Sequence, residues 1–260
     1  KKGHVIKYRL PRNIIARMQS LEYDRSFLAA RILLDKINAN MIISGAFGLF
    51  EKKTVIAVGG YDNSTMGEDM ELVVRLHEFS RMNRKPYKIH FAQDAICWSQ
   101  TPEKLSELCK QRKRWQRGLF QCMWGHRKML ANPRYGAVGL LSYLYFLLYE
   151  LLSPFIELLG VLTMVLSVMM DMLNVKFMLV FLACYALYGI LLTLTAYFSR
   201  IYTIDQRLSF RELILAIIAC FFETTILRFS LAFVRATAFV GYKKNKLNWG
   251  KLERKKMNRI

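Results

Sequence analysis

The chain is short of cysteine, short of acidic residues and, over one long stretch, empty of lysine and arginine. Its five cysteines (Cys97, Cys109, Cys122, Cys184 and Cys220) form no CxxC pair and follow no regular spacing. That excludes a disulfide framework and a cysteine-based zinc site, and it suits a reducing cytosol and lipid. Asp and Glu number 19 against 39 Lys and Arg, leaving a formal charge of +20. In a soluble domain such an excess points to nucleic acid. Here charge and apolar residues are segregated, so no nucleic-acid partner is expected. Residues 1–135 are mostly polar or half-apolar, 136–240 are mostly apolar, and 243–260 are basic again. Basic flanks beside apolar spans mark cytoplasmic segments next to an anionic leaflet. There is no internal repeat and no low-complexity stretch. The chain opens on Lys1 rather than Met, so it is expected to be a fragment or a processed product; no signal peptide is visible there.

The polar half alternates between patterns. Residues 12–40 carry Ile14, Ile15, Met18, Leu21, Phe27, Leu28 and Ile32 near helical spacing. MIISGAFGLF (41–50) is apolar with two glycines and predicts a buried strand that turns. VIAVGGYDNSTMG reads as a strand or helix end leading into a turn-rich loop, and Glu68 to Phe79 returns to helical spacing. Residues 87–98 predict a short strand and its exit. Thr101-Pro102-Glu103 is a helix start, with Thr as N-cap and Pro at the first position, and that helix is expected to run through Arg117. Alternating strands and helices predict an α/β lobe.

The stretch 136–173 has no Lys or Arg. As one helix it would measure about 55 Å, too long for a hydrocarbon core of roughly 30 Å. Pro154 divides it. Residues 137–153, with Tyr143, Tyr145, Phe146 and Tyr149, predict a helix at the membrane interface. Residues 155–173 and 176–199 predict two spans, and 200–211 a basic connecting loop. The segment 212–240 is long enough to cross but holds Glu223, Arg228 and Arg235, so it reads as re-entrant or interfacial, with the tail kept cytoplasmic.

Three short patterns follow one another: Ser44-Gly45-Ala46-Phe47-Gly48, then Gly67-Glu68-Asp69 with Glu71, then Gln111-Arg112-Lys113-Arg114-Trp115. Each is weak alone; their order and spacing together are specific. Glu68, Asp69 and Glu71 can also be an acidic helix N-terminus favoured by the dipole. On a helix, Gln111, Arg114 and Trp115 share one face, while Arg112, Lys113 and Arg117 suit a basic membrane surface. A forked guanidinium suits a diphosphate, and an indole offers a flat apolar surface to a sugar ring. Gly45 and Gly48 permit close backbone approach beside Phe47, at a pocket or a packed strand end. His77, His90 and His126 are isolated and read as structural. Met164, Met169, Met170 and Met172 read as lipid-facing or packing residues.

In QSLEY (19–23), SGAFG, GGYD (59–62), GEDMEL (67–72) and QRKRWQRG (111–118), the chain resembles the processive family-2 glycosyltransferases: cellulose synthase, hyaluronan synthase and, most closely, bacterial poly-N-acetylglucosamine synthases. The likeness runs over most of residues 3–118, and NWGKLER (248–254) resembles the family's C-terminus; Gly67 stands where some members have Thr. The resemblance implies the C-terminal part of a GT-A-type lobe (1–100), interface helices (101–153), transmembrane or re-entrant helices (154–240) and a basic cytoplasmic tail (241–260). It implies inverting transfer of a sugar from a nucleotide diphosphate to an acceptor hydroxyl. Asp69 matches the base, and Glu68 shapes the same loop. Gln111 and Arg114 would hold the diphosphate; Trp115, Ser44, Gly45 and Phe47 would hold the acceptor or product. Glu150, Glu157 and Glu223 would lie near the polymer's path through the bilayer.

The implied partners are a UDP-sugar, with UDP-N-acetylglucosamine favoured, a growing β-linked polysaccharide, membrane lipids and an accessory membrane subunit. The implied location is the plasma or inner membrane, multi-pass, with the catalytic lobe cytoplasmic. The implied cofactor is Mg²⁺ or Mn²⁺ held by a DxD motif. No DxD occurs in the 260 residues, and the family places it before QSLEY, hence before Lys1. Two other readings are a non-processive transferase acting on a lipid carrier and a non-catalytic subunit for polysaccharide assembly or export. The purified 260-residue chain is expected to incorporate no labelled sugar from a nucleotide-sugar donor; incorporation by it alone contradicts that expectation.

Overall fold

In a computed structural model, the described residues are 10–85, 87–92, 95–203 and 209–242. The tail 243–260, with NWGKLER, lies outside them, as do residues 204–208, with Arg207, of the predicted loop 200–211. Among the described residues there are helices, turns and extended segments but no β-strand, so the α/β expectation is not supported.

The helices are α1 (Ile14–Arg25), which passes through a π-helical stretch (Ser26–Arg31) into α2 (Ile32–Lys36), then α3 (Lys52–Ala57), α4 (Glu68–Met82) and α5 (Leu105–Gly125). There follow α6 (Val138–Leu151), α7 (Ser153–Met169), α8 (Val175–Thr203) and α9 (Phe210–Phe239). Asn13 caps α1: its Oδ1 accepts from Ile15 N–H at 2.9 Å and Ala16 N–H at 3.1 Å.

The two segments predicted as strands are extended but unpaired. Residues 39–44 and 87–92 take no ladder; side chains serve their backbone instead. Asn38, at φ 50°, donates from Nδ2 to Tyr87 O at 3.1 Å and accepts from Ile89 N–H at 2.9 Å. Asp35 accepts from Phe91 N–H at 2.7 Å. Alternating apolar residues predict burial on one side, which these segments have, but do not guarantee a neighbour strand. The ambiguous piece before GGYD is helical, as α3.

The helix expected from Thr101 begins later and ends later. The carbonyls of Pro102 and Glu103 are taken by Gln19 Nε2 (2.8 Å) and Asn13 Nδ2 (3.2 Å), so the chain bends to meet α1 before α5 can start. α5 then continues past Arg117 to Gly125.

Three apolar clusters hold these parts together. Met41, Met70, Val74, Cys122, Met123, Val138, Tyr143 and Phe146 join the 39–42 segment to α4, α5 and α6. Leu21 of α1 packs with Tyr197 and Ile201 of α8 and with Ala216, Ala219 and Cys220 of α9. Met18 of α1 meets Leu108 of α5 and Leu227 and Leu231 of α9. α1 is therefore common ground between α5 and the long apolar helices.

α8 and α9 are each long and apolar enough to cross a membrane. The predicted span at 155–173 is shorter: α7 ends at Met169 and qualifies only together with α6, from which it is bent by 47°. At 17 residues it is about 26 Å long, below the roughly 30 Å of a hydrocarbon core. Pro154 sits in its first turn, where a missing N–H costs nothing. α9 is one continuous candidate span by length and composition, and the three charges in its interior are paired. Glu223 meets Arg25, Arg228 meets Glu157 at 2.9 Å, and Arg235 meets Glu150 at 3.7 Å. The three glutamates read as lining a polymer path thus point at arginines of this same chain.

His77 is fully buried and lies 2.7 Å from both Asn40 O and the Tyr87 hydroxyl. A carbonyl can only accept, so Nε2 carries the proton and Nδ1 accepts from Tyr87. Burial pushes its pKa down to about 4, helped by Arg81. A depressed histidine contributes stability that is full above its unfolded value, near 6.5, and is lost as pH falls through about 4. Each unit is about 1.4 kcal/mol, so roughly 3 kcal/mol is at stake. The thermal unfolding midpoint is expected to fall as pH drops from 6.5 to 4, and His77→Gln should flatten that dependence; an unchanged slope contradicts the assignment.

Candidate active site

The first turn of α4 carries Glu68, Asp69 and Glu71, where carboxylates meet the positive end of the helix. The SGAFG loop lies against it: Gly45 N–H donates to Asp69 Oδ2 at 3.1 Å. A Cβ at Gly45 would stand 3.3 Å from that oxygen, so a side chain here would crowd the carboxylate. Gly48 closes the same turn, since a Cβ there would come within 2.9 Å of Ile43 and Phe50. Phe47 stands exposed at the tip, and Ser44 is half-buried with its carbonyl accepting from Phe47 N–H.

α5 arrives from the other side. A Cβ on Gly118 would lie 2.7 Å from Gly67 N, so the two backbones touch where α4 begins and α5 passes. Gln121 completes the join: its Oε1 accepts from Met66 N–H at 2.8 Å and from the Thr65 hydroxyl at 3.1 Å. One helical turn before Gly118 stand Arg114 and Trp115, so the second and third motifs share one locality.

The electrostatics agree with the packing. Burial pushes the Glu68 carboxyl above its ordinary range and Asp69 adds to this, while Arg114 pulls it back. Arg31 has its guanidinium 4.0 Å from the Phe27 ring centre; burial lowers its pKa to about 10, against the fields of Asp69 and Glu150. The carboxylates at 68 and 69 therefore face cations from two elements, Arg114 of α5 and Arg31 after α1.

Trp115 is 40% exposed. The guanidinium of Arg112 lies over its ring, 4.7 Å from the centre. Arg112 is buried, pairs with Glu22 at 2.5 Å and lies 5.8 Å from the Tyr23 ring; Tyr23 itself is 6.3 Å from Trp115. Arg117 donates to Ala238 O at 2.7 Å. Arg112 and Arg117 are thus spent inside the protein, not on a membrane surface. Gln111 is half-buried, and its Oε1 has no hydrogen-bond partner among the described residues.

Several supporting residues escaped the sequence reading. Arg75 donates to Val58 O (2.6 Å), Gly60 O and Glu71 (2.7 Å each), which pins the GGYD turn to α4. His126 at the end of α5 lies 2.7 Å from Glu78 and 3.5 Å from Glu71; burial opposes its charge, but the two carboxylates outweigh that and raise its pKa. The one available signal was Gly118: a glycine inside a helical pattern marks a close backbone approach. Among the described residues no three of His, Cys, Asp or Glu come together in a way that could hold a metal ion.

The family model described as "Glycosyl transferase family group 2" matches residues 3–240. The chain is 32% identical over 120 residues to the poly-β-1,6-N-acetyl-D-glucosamine synthase of Staphylococcus aureus strain COL and 31% identical over 120 residues to that of Staphylococcus epidermidis. Each match covers 46% of this chain and 26% of the relative, so the chain spans about a quarter of the length of these curated relatives. No solved structure matches it.

Gly118→Ala tests the join. Alanine is worth about 1 kcal/mol in a free helix, but overpacking two touching backbones costs roughly 1–3 kcal/mol. The variant is expected to be less stable in denaturant, with Gly67→Ala milder because its Cβ would stand 3.1 Å rather than 2.7 Å from the facing backbone. A stabilised Gly118→Ala variant contradicts the contact.

Proposed function

The chain belongs to glycosyl transferase family group 2, and on that premise we propose that it is the acceptor-side part of a membrane-bound, inverting polymerase of a β-linked polysaccharide. The observation that supports this most is the meeting of SGAFG, GED and QRKRWQRG around Asp69, through Gly45 on one side and Gly67 on Gly118 on the other. The likeness to the poly-β-1,6-N-acetyl-D-glucosamine synthases favours a UDP-sugar donor, and UDP-N-acetylglucosamine in particular.

In the proposed reaction an acceptor hydroxyl attacks the anomeric carbon while the bond to the nucleotide diphosphate breaks, and the hydroxyl proton passes to Asp69. A placed base of this kind contributes roughly 100- to 10,000-fold. The Gly45 N–H on Oδ2 at 3.1 Å and the Met70 N–H on Oδ1 at 2.8 Å fix the carboxylate's direction, and a remaining lone pair takes the proton. Glu68 shapes the loop beside it. Arg114, with Gln111, faces the leaving diphosphate and offsets its charge. Trp115 supplies the surface on which the last sugar of the acceptor rests; its exposure beside buried Arg112 suits that task. Ser44, Gly45 and Phe47 complete the acceptor side. The family commonly uses a divalent ion on the diphosphate, but the described residues supply no such site, and no step here is assigned to one.

The proposed organisation is a catalytic segment (1–100), interface helices (101–153), membrane helices (154–240) and a basic tail (241–260), multi-pass in the plasma or inner membrane with the catalytic segment cytoplasmic. An accessory membrane subunit is part of the proposal.

In the full-length enzyme, Asp69→Asn is expected to lower polymer output by at least about 100-fold, the low end for a lost general base. Trp115→Ala should leave single transfers and shorten the chains. Size analysis of labelled product checks both; unchanged output from Asp69→Asn overturns the reading, and a single added sugar from the unaltered enzyme favours a non-processive transferase.

A further inference from the structure

Four successive residues of α1 are each held by a different side chain. Glu22 pairs with Arg112 of α5 at 2.5 Å, and Tyr23 lies against Trp115 with ring centres 6.3 Å apart. Asp24 accepts from Arg200 of α8 at 2.9 Å. Arg25 forks onto Glu223 of α9, Nη1 to Oε2 at 2.7 Å and Nη2 to Oε1 at 2.8 Å, and its Nη1 also reaches the Thr193 hydroxyl of α8 at 2.8 Å. Successive helical residues point about 100° apart, so these contacts grip α1 all round a single turn. Two of them face the Trp115 platform and two face the apolar helices.

Glu223 is the anchor of the second pair. Only 4% of its side chain is exposed, and it begins a π-helical stretch, Glu223–Leu227, inside α9. Such single π-turns place a side chain where a regular helix would not. Thr224 donates to Oε2 at 3.3 Å, and Thr193, which receives Arg25, donates to Gly189 O at 2.8 Å. Gly189 has no room for a Cβ, because Thr224 fills that place, so α8 and α9 are in contact at the level of the ion pair.

A buried ion pair contributes little net stability over an apolar pair of similar size, because desolvation offsets the attraction. What a forked arginine–carboxylate contact adds is direction. We propose that Arg25 and Glu223 are positioning residues for the acceptor platform: anchored in α9, they fix the rotation of α1 so that Glu22 and Tyr23 hold Arg112 and Trp115 in place. This rests on the reading of Trp115 as the acceptor surface.

The test uses the full-length enzyme with added acceptor oligosaccharide. The variants are Glu223→Gln, Arg25→Met combined with Glu223→Leu, Trp115→Ala, and Glu223→Gln combined with Trp115→Ala. The first two are expected to keep the donor KM while raising the acceptor KM roughly 5- to 20-fold, the range of coupled neighbours; the double apolar variant should also keep the detergent melting midpoint, whereas Glu223→Gln, which leaves Arg25 without its carboxylate, should lower it. They should also shorten the product. Glu223→Gln should add nothing in the Trp115→Ala background, because it acts through that ring. If the double apolar variant does not fold, Glu223→Gln carries the same test with nearly unchanged shape. A wild-type acceptor KM and product length in Glu223→Gln overturns the inference while leaving the platform reading intact, provided Trp115→Ala raises that KM. A Trp115→Ala enzyme with wild-type acceptor KM overturns the platform reading and, with it, the route assigned to Glu223. Additive losses in the combined variant overturn the positioning role alone.

Discussion

Everything that can be said about the site hangs on two glycines in contact. Gly67 enters α4 and Gly118 lies inside α5, and with no side chain on either the backbones meet. That contact aligns the positive end of α4, with its two adjacent carboxylates, beside the turn of α5 that carries Arg114 and Trp115. Gln121 then ties the preceding loop to α5 through two hydrogen bonds. A side chain at either position would press on the facing backbone and push the two elements apart, because a Cβ would stand 2.7 Å (Gly118) or 3.1 Å (Gly67) from it.

The second layer of the account is α1, which links that locality to the apolar helices. Its apolar face joins two clusters, through Leu21 and Met18, and its polar residues are spent on both sides. The consequence is mechanical: α5 does not float on the long helices but is held through α1, through the Gln116 amide on Leu151 O, and through Arg235 on Gln116. Glu150, Glu157, Arg200, Glu223, Arg228 and Arg235 within the apolar half are thereby explained as joints between helices.

Much of this was legible in the sequence, because short motifs with glycines and carboxylates at fixed spacing leave few alternatives. The helices expected at 12–40 and 68–79 follow from apolar spacing, that at 101–117 from its start signals, with ends that the structure moves, and the break at Pro154 from its missing N–H. Other features were not legible. The 41–50 and 87–98 segments have the composition of strands, but whether a strand pairs depends on a partner far away in sequence, and here Asn38 and Asp35 side chains take the ladder's place. The guanidinium over the Trp115 ring is that of Arg112, held by Glu22 ninety residues earlier, a contact that helical spacing could not show. Glu223 looked like a charge that would keep α9 out of a bilayer, because its partner Arg25 is visible only in three dimensions.

The most direct measurement is an experimental structure of the full-length enzyme with an acceptor oligosaccharide bound. The account predicts the terminal sugar lying flat on the Trp115 indole, with its attacking hydroxyl about 3 Å from the Asp69 carboxylate, the reach a general base needs. A terminal sugar seated away from Trp115, or a hydroxyl beyond the reach of Asp69 with no water between them, would contradict it.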